Sequence, residues 1–181
     1  MVTILSAALP DRRLLTLADF PGAPEPEETG ADYEANALIK ARSAVTATGE
    51  QCIADDAGLE IDALDGAPGL YSKRFGGEDL PFPEKIARIL GLLGGVSDTD
   101  RTARFRCWVA LASPDGREET FEGVCEGRIA KSPSGNGGFG YDPIFYLPEL
   151  GRTMADLTPG EKHAVSHRGV VLAEAIEALR A

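Results

Sequence analysis

Two adjacent carboxylates are the side chains of this sequence with the clearest capacity for chemistry. Asp55 and Asp56 stand in the stretch Ala54-Asp-Asp-Ala-Gly-Leu59, and residues 52–54 predict the end of a short buried strand that breaks there at a turn. Because side chains alternate along a strand, two neighbouring aspartates cannot both face the core. A carboxylate left at a strand end is a natural ligand for Mg²⁺, which keeps waters and substrate phosphates beside one or two carboxylates.

A solvated turn is the competing interpretation of this stretch. Asp and Gly are common turn residues, and residues 54–59 taken alone favour the turn over a metal site. The choice therefore depends on what the rest of the chain places around the two aspartates.

The net charge limits the partners that this chain can bind. The 181 residues carry a formal net charge of -11, and 43% of them are hydrophobic. This length predicts one domain, or one domain with two lobes. The negative charge argues against binding to a nucleic-acid polymer or to an anionic membrane surface, since both need clustered cations. A polyanionic substrate would need a metal ion or a local basic patch, which Lys73 and Arg74 could supply.

The cysteines and the hydropathy pattern indicate the compartment. Cys52, Cys107 and Cys125 form no close-spaced metal motif, and their odd number predicts reduced thiols in the core. Neither a signal peptide nor a membrane-spanning run is apparent. We therefore expect a cytoplasmic protein.

Periodicity and turn residues predict a succession of helices and strands. Asp32 predicts the cap of a helix that runs to about Thr48 and ends at Gly49. Asn36 and Lys40 lie four residues apart on this helix, a pair that is typical of a solvated surface when taken alone. The other predicted elements are helices over residues 2–9, 83–93 and 170–179, strands over 13–17, 59–64 and 141–148, an acidic loop over 21–30, and a β-hairpin of residues 101–112 and 118–126.

Two sequence patterns match known sites but are rejected. Residues 135–140 match G-x-G-x-x-G, yet a strand rather than a helix is predicted to follow them. His163 and His167 lie four apart on a predicted helix, which would suit zinc, but the Glu of the H-E-x-x-H motif is missing.

Six motifs in a fixed order carry a resemblance to a known family. They are Glu27-Glu-Thr-Gly30, Asn36-Ala-Leu-Ile-Lys-Ala41, Ala54-Asp-Asp-Ala-Gly-Leu59, Gly66-Ala-Pro-Gly69 with Tyr71-Ser72, Gly138-Phe-Gly-Tyr-Asp-Pro143, and Glu161-Lys162 with Ser166-His-Arg-Gly169. With these motifs, the chain from about Arg13 onward resembles the inosine triphosphate pyrophosphatase family, the noncanonical purine nucleoside triphosphate pyrophosphatases.

The resemblance implies both a fold and a reaction. The fold is α/β, elongated and two-lobed around a long mixed β-sheet, with a nucleotide cleft between the lobes and usually a homodimer. The reaction is Mg²⁺-dependent hydrolysis of ITP, dITP or XTP to the monophosphate and pyrophosphate, which cleanses the nucleotide pool. This agrees with the residues, because Mg²⁺ and lysines stabilise the charge that develops on a pyrophosphate leaving group.

The resemblance also implies roles for individual residues. Asp56 matches the catalytic carboxylate and Mg²⁺ ligand, Glu28 shares the metal, and Asp55 assists through metal-bound water. The candidate donors to the 6-oxo group of the base are His167, Arg168 and backbone N–H groups near Phe139, although His167 and Arg168 outside their motif would be a surface charge pair at a helix start. The implied substrate contacts are Lys40, Ala57, Lys73, Arg74, Phe139, Gly140, Tyr141, Asp142, Lys162, His167 and Arg168.

The N-terminal region departs from the family pattern. The family opens with a strand and a Ser/Thr-Gly-Asn-x-x-Lys loop that cradles the triphosphate, whereas residues 2–9 match the helix after that loop. We therefore expect a single domain that is N-terminally incomplete, with the native start upstream of Met1. Ala57 and Ala35 replace a Ser or Thr and a Glu, with modest expected effects on affinity.

Two alternatives to the leading function stay open. The first is a nucleotide-binding or dimerisation module that has lost turnover together with the phosphate loop. The second is a related house-cleaning phosphatase with a different base preference.

Overall fold

The protein has an α/β fold, as the sequence predicts. The structure is a computed structural model that describes residues 1–180. The α-helices are α1 (Val2–Ala8), α2 (Tyr33–Thr48), α3 (Phe82–Leu92), α4 (Pro159–Val165) and α5 (His167–Arg180). The strands are β1 (Cys52–Ile61), β2 (Thr102–Ala112), β3 (Glu118–Ile129), β4 (Phe145–Leu147) and β5 (Arg152–Thr153).

The strands form one sheet in the order β1-β2-β3-β4-β5. β3 pairs antiparallel with β4, with Arg128 opposite Tyr146, and β4 pairs antiparallel with β5, with Leu147 opposite Arg152. This part of the sheet is therefore an antiparallel meander rather than the mixed sheet that the family resemblance implies. The chain divides into two compact units: the first holds residues 1–56, 107–123 and 168 onward, and the second holds residues 57–106 and 124–167.

Helix α2 confirms the clearest predictions in the first unit. The Asp32 side chain accepts a hydrogen bond from the Ala35 N–H at 2.8 Å, and Gly49 ends the helix in the left-handed conformation with φ 71°. The helix packs on β2 through small side chains, which let helix and strand approach closely. These side chains are Ala37, Ala41, Ala110 and Ala112, all buried, with Trp108 packed beside them.

Two predictions for the first unit are wrong. Residues 13–17 do not form a strand, because the Asp19 carboxylate accepts hydrogen bonds from the N–H and hydroxyl of Thr16 and closes the turn Leu17–Asp19. The predicted turn at Asp55 and Asp56 is absent too. Strand β1 continues through both aspartates to Ile61, since its backbone is paired with the neighbouring strand β2.

The second unit contains the larger core. Helix α3 begins at Phe82 with Pro83 in its first turn, one residue from the prediction, and buries Ile86 and Ile89. The core cluster consists of Leu59, Ile61, Ile86, Ile89, Leu93, Ala103, Phe105, Cys125, Ile129, Tyr141, Ile144, Phe145, Leu147, Met154 and Leu157. The predicted hairpin is confirmed as β2 and β3, which are neighbours in the sheet.

The C-terminal third corrects two further boundaries. The strand predicted over residues 141–148 is confined to β4, because Pro143 lacks an N–H and lies in the tight turn Asp142–Ile144. His163 and His167 do not share a helix, since α4 ends at Val165 and Ser166 is extended before α5 begins. Among residues 1–180, none of the helices has the length and apolar character needed to cross a membrane.

A buried guanidinium joins two backbone segments of the second unit. Arg101, 5% exposed, donates to the carbonyl oxygens of Ile129 at 2.8 Å, Leu93 at 2.8 Å and Ala130 at 3.1 Å. The side chain thus joins the end of α3 to the end of β3. Its removal would leave buried carbonyl groups without these donors.

The substitution Arg101→Met should therefore destabilise the fold. We expect a loss of about 3 kcal/mol in the free energy of unfolding, measured by urea titration. Arg117→Met is the matched control, because the Arg117 side chain is 82% exposed and its loss should change stability by less than about 0.5 kcal/mol. Equal effects of the two substitutions would contradict this role of Arg101.

The start of helix α4 generates a prediction about pH. Glu161 accepts hydrogen bonds from the Thr158 N–H at 2.8 Å and from Arg152 at 2.9 Å, which lower the pKa of its carboxyl to about 2. A pKa below the unfolded value of about 4.3 contributes stability that is present above pH 4.3 and lost as the pH falls toward 2. Glu161→Gln keeps the cap but not the charge.

The melting-temperature difference between the wild type and Glu161→Gln should therefore be constant above about pH 5 and shrink between about pH 4.3 and 2. Thermal unfolding across this range checks it. A difference that does not change with pH would contradict the assignment.

Candidate active site

Four side chains of the first unit form a cluster with the ammonium group of Lys40 at its centre. Its Nζ lies 2.7 Å from a carboxylate oxygen of Glu28 and 2.7 Å from Oδ1 of Asp56. Asn36 donates from Nδ2 to the other oxygen of Asp56 at 3.2 Å. We call Glu28, Asn36, Lys40 and Asp56 the Lys40 cluster.

Helix α2 sets the geometry of the Lys40 cluster. Asn36 and Lys40 lie four residues apart, so both side chains project from one face of the helix toward β1. The interpretation of this pair as a solvated surface is wrong, because Asn36 is 2% exposed. Its Oδ1 also accepts from the Gly30 N–H at 2.8 Å, which fixes the loop that carries Glu28.

Gly30 is required by this close approach. A Cβ atom there would lie 2.6 Å from Oδ1 of Asn36. Any other residue would push the loop away from the helix, and Glu28 with it.

Burial and charge act against each other in the Lys40 cluster. Burial raises the pKa of Asp56 despite the opposing hydrogen bond from Lys40. For Lys40, burial works to lower the pKa, but the hydrogen bonds to Asp56 and Glu28 together outweigh it, so the pKa is raised. Lys40 therefore stays an ammonium and holds the two carboxylates near each other.

The second aspartate has different partners. Oδ2 of Asp55 accepts from Nε of Arg168 at 2.9 Å, and the buried thiol of Cys107 lies 3.8 Å from the same oxygen. Burial, reinforced by the charge of Asp55, raises the pKa of Cys107 strongly. Because neighbouring side chains on β1 alternate in direction, Asp55 and Asp56 serve two separate groups of residues.

The chemistry of the Lys40 cluster fits a magnesium ion. Glu28 and Asp56 offer hard carboxylate oxygens, and each has lone pairs beyond those used by Lys40 and Asn36. Within residues 1–180 no third acidic, His or Cys side chain joins them in a metal-binding group. A two-carboxylate set with water and phosphate in the other positions is the usual form of a Mg²⁺ site.

A second group of predicted residues lies in the second unit. The Asp142 carboxylate is buried and accepts from the Phe139 N–H at 2.7 Å, and Lys162 forms an ion pair with it. The Lys162 ammonium also lies 4.3 Å from the centroid of the Phe139 ring. Gly138 has φ +73°, and a side chain there would collide with the Asp142 carboxylate.

Phe139 is held at the surface by this arrangement. Its ring is 60% exposed, while its backbone is fixed by Asp142. An exposed, anchored aromatic ring with a cation over its face can stack on a planar base.

The remaining predicted site residues have varied environments. Tyr141 is buried and donates from its hydroxyl to the Ser72 carbonyl at 2.8 Å. His167 is buried with its ring stacked on Phe105, the centroids 4.8 Å apart. Lys73 and Tyr71 are exposed. The guanidinium of Arg74 lies 5.7 Å from the Tyr71 ring centroid. Ala57 lies on β1. The backbone of Gly140 is in the left-handed region, with φ +63°.

Comparison with known proteins settles the family. The model of the Ham1 family matches residues 2–178. The chain belongs to the Ham1 family. The dITP/XTP pyrophosphatase of Desulforamulus reducens is 50% identical to this Ham1 chain over 167 residues, 92% of this chain and 83% of that protein. The dITP/XTP pyrophosphatase of Geobacter sulfurreducens is 52% identical over 160 residues, 88% of this chain and 80% of that protein.

Solved structures agree with the Ham1 assignment. A HAM1 protein from Coxiella burnetii matches with a TM-score of 0.91 and 41% identity, and the Ham1 protein of Staphylococcus aureus matches with 0.92 and 37%. Each match covers 99% of this chain and 92% of the other. The family predicted from the six motifs is thus confirmed.

Three features of this Ham1 chain were missed by sequence reasoning. The first is that Asn36 belongs to the Lys40 cluster. The spacing could have indicated this, because Asn36 lies one helical turn before Lys40. Cys107 lies beside Asp55, which the alternation of β2 alone does not reveal. The third is the burial of Tyr141, whose hydroxyl donates to the Ser72 backbone carbonyl; its place beside the base stays a prediction.

The Lys40 cluster generates a prediction about cation binding. Lys40→Met removes the ammonium and leaves Glu28 and Asp56 facing each other. We expect a loss of about 2 kcal/mol in stability, and millimolar Mg²⁺ should restore the melting temperature more in this variant than in the wild type, because a divalent cation can replace the lost charge.

Arg42→Met on the same helix is the control. Arg42 pairs with Glu118 at 2.7 Å, and its side chain is 57% exposed, so the loss should be below about 1 kcal/mol and without a Mg²⁺ effect. If Mg²⁺ shifted the melting temperatures of the wild type, Lys40→Met and Arg42→Met equally, the proposed magnesium site would be wrong.

Proposed function

We propose that this chain hydrolyses noncanonical purine nucleoside triphosphates, such as dITP, XTP and ITP, to the monophosphate and pyrophosphate in a Mg²⁺-dependent reaction that cleanses the nucleotide pool. The Lys40 cluster is the observation that carries the proposal, since it places two carboxylates and a lysine together as phosphate chemistry requires. The enzyme class predicted from the sequence, a nucleoside triphosphate pyrophosphatase, is confirmed by the relatives that share half of the sequence.

The proposed roles in the Lys40 cluster follow from its charges. Glu28 and Asp56 would hold Mg²⁺, which would supply positive charge against the phosphate oxygens. Lys40 keeps the two carboxylates in place and adds a cation for the phosphates. Two roles are open to Asp56, metal ligand and acceptor of the proton lost by the attacking water, and one substitution removes both.

The proposed base contacts lie on Phe139 and around Arg168. Phe139 offers an exposed ring for stacking, with Lys162 and Asp142 fixing its surroundings. Arg168, held by Asp55, is proposed to donate to the 6-oxo group that distinguishes hypoxanthine and xanthine from adenine. His167 is proposed to support this selection from its position before Arg168 in α5.

Two further expectations remain proposals. A homodimer is expected from the family resemblance, and light scattering coupled to size-exclusion chromatography would measure it. A cytoplasmic location is supported by Cys52, Cys107 and Cys125, which are free thiols as expected in a reducing compartment.

Hydrolysis of ITP tests the function directly. The purified chain is incubated with ITP, XTP, GTP or ATP and Mg²⁺, and the products are separated by chromatography with a pyrophosphate assay. We expect IMP and pyrophosphate from ITP, little product from ATP, and none in a metal-free reaction. Binding of ITP without turnover would instead support a nucleotide-binding module.

Asp56→Asn should abolish the Mg²⁺-dependent turnover, with a loss of at least about 10³-fold in kcat. Asp32→Asn is the matched control, because it makes the same chemical change in the same unit while Asn remains a good helix cap. Unchanged activity in Asp56→Asn would move the catalytic role to another residue.

A further inference from the structure

A lysine that the proposed mechanism does not use is buried in the second unit. Lys85 lies on α3 and is 2% exposed. Its ammonium donates to the backbone carbonyl of Lys73 and lies 5.3 Å from the centroid of the Phe82 ring. Burying an ammonium is costly unless it is paired, so this position calls for an explanation.

The carbonyl that Lys85 holds belongs to a short segment that carries two cations. Residues 71–74, which we call the Lys73 segment, begin at the last residue of the turn Gly69–Tyr71. Lys73 itself is exposed, and Arg74 is partly buried. In a chain with a net charge of -11, two adjacent cations form a local site at which a polyanion can bind.

Hydrogen bonds from three other parts of the chain hold the Lys73 segment. The Ser72 carbonyl accepts from the Tyr141 hydroxyl at 2.8 Å, and the Lys73 carbonyl accepts from Lys85. The Ser72 hydroxyl donates to the Gly69 carbonyl at 2.6 Å and accepts from the Leu59 N–H at 2.8 Å. Two consecutive carbonyls are thus fixed by side chains from other elements, α3 and the turn before β4.

We propose that Lys85, with Tyr141, is a positioning residue for the proposed reaction: it anchors the Lys73 segment so that Lys73 and Arg74 present their charges to the pyrophosphate portion of the substrate. This inference rests on the proposed function. An ammonium hydrogen bond to a carbonyl is stronger than a neutral one, and a fixed segment gives up less freedom when an anion binds.

The test measures affinity for the pyrophosphate portion separately from the rest of the nucleotide. Lys85→Met keeps the length and apolar stem but removes the donor. We expect the KM for ITP and the Kd for inorganic pyrophosphate, by calorimetry with Mg²⁺, to rise about tenfold, with kcat and the inhibition constant of IMP within about twofold. Tyr141→Phe should raise the same Kd about threefold.

Two controls separate positioning from general stability. Ile89→Val changes an equally buried side chain of α3 and should lower the melting temperature without changing the Kd for pyrophosphate. In a Lys73→Ala/Arg74→Ala background, adding Lys85→Met should have no further effect on that Kd, because the cations it positions are gone. Should Lys85→Met fail to fold, Tyr141→Phe tests the same anchor.

An unchanged Kd in Lys85→Met, or in Tyr141→Phe if only that variant folds, would overturn the inference. So would a full Lys85→Met effect in the Lys73→Ala/Arg74→Ala background. Absence of ITP turnover with pyrophosphate binding that still depends on Lys85 would refute the proposed function alone. Absence of pyrophosphate binding by the wild type would overturn the inference alone, because the proposed function is tested separately by the turnover of ITP.

Discussion

The ammonium of Lys40 is the charge on which the candidate active site depends. Glu28 comes from a loop and Asp56 from a strand, and without a cation between them two half-buried carboxylates would repel each other. Lys40 removes this repulsion at 2.7 Å from each. This requires both carboxylates and the lysine to stay in one geometry. Asn36 maintains it, because it donates to Asp56 and accepts from the N–H of Gly30 in the loop that carries Glu28.

The same constraint accounts for the path of β1. Had the chain turned at the two aspartates, both side chains could have reached solvent and neither would have had a fixed direction. Because β1 is a continuous strand, the Asp56 side chain contacts Lys40 and the Asp55 side chain contacts Arg168. Alternation along a strand therefore converts two adjacent identical residues into two different electrostatic environments.

Buried cations in the second unit act on the backbone rather than on carboxylates. Arg101 donates to three carbonyl oxygens and Lys85 to one. A carbonyl oxygen offers only a partial charge, so such bonds give less electrostatic energy than an ion pair, but they fix the position of a chain segment directly. This suits a turn or loop whose own side chains must stay available at the surface, as Lys73 does.

Local signals predicted most of the fold, and the errors at Asn36 and along β1 arose where partners distant in sequence decide. Asp32, Gly49 and the alternation of β2 act over a few residues, so α2 and the hairpin could be predicted from the sequence. The burial of Asn36 and the continuation of β1 through Asp55 depend on β1, β2 and α2 packing together, which no local pattern contains. The order of six motifs predicted the family through its resemblance to known sequences. The burial of Lys85 beneath the Lys73 segment has no such signal, since a lysine in an amphipathic helix ordinarily extends into water.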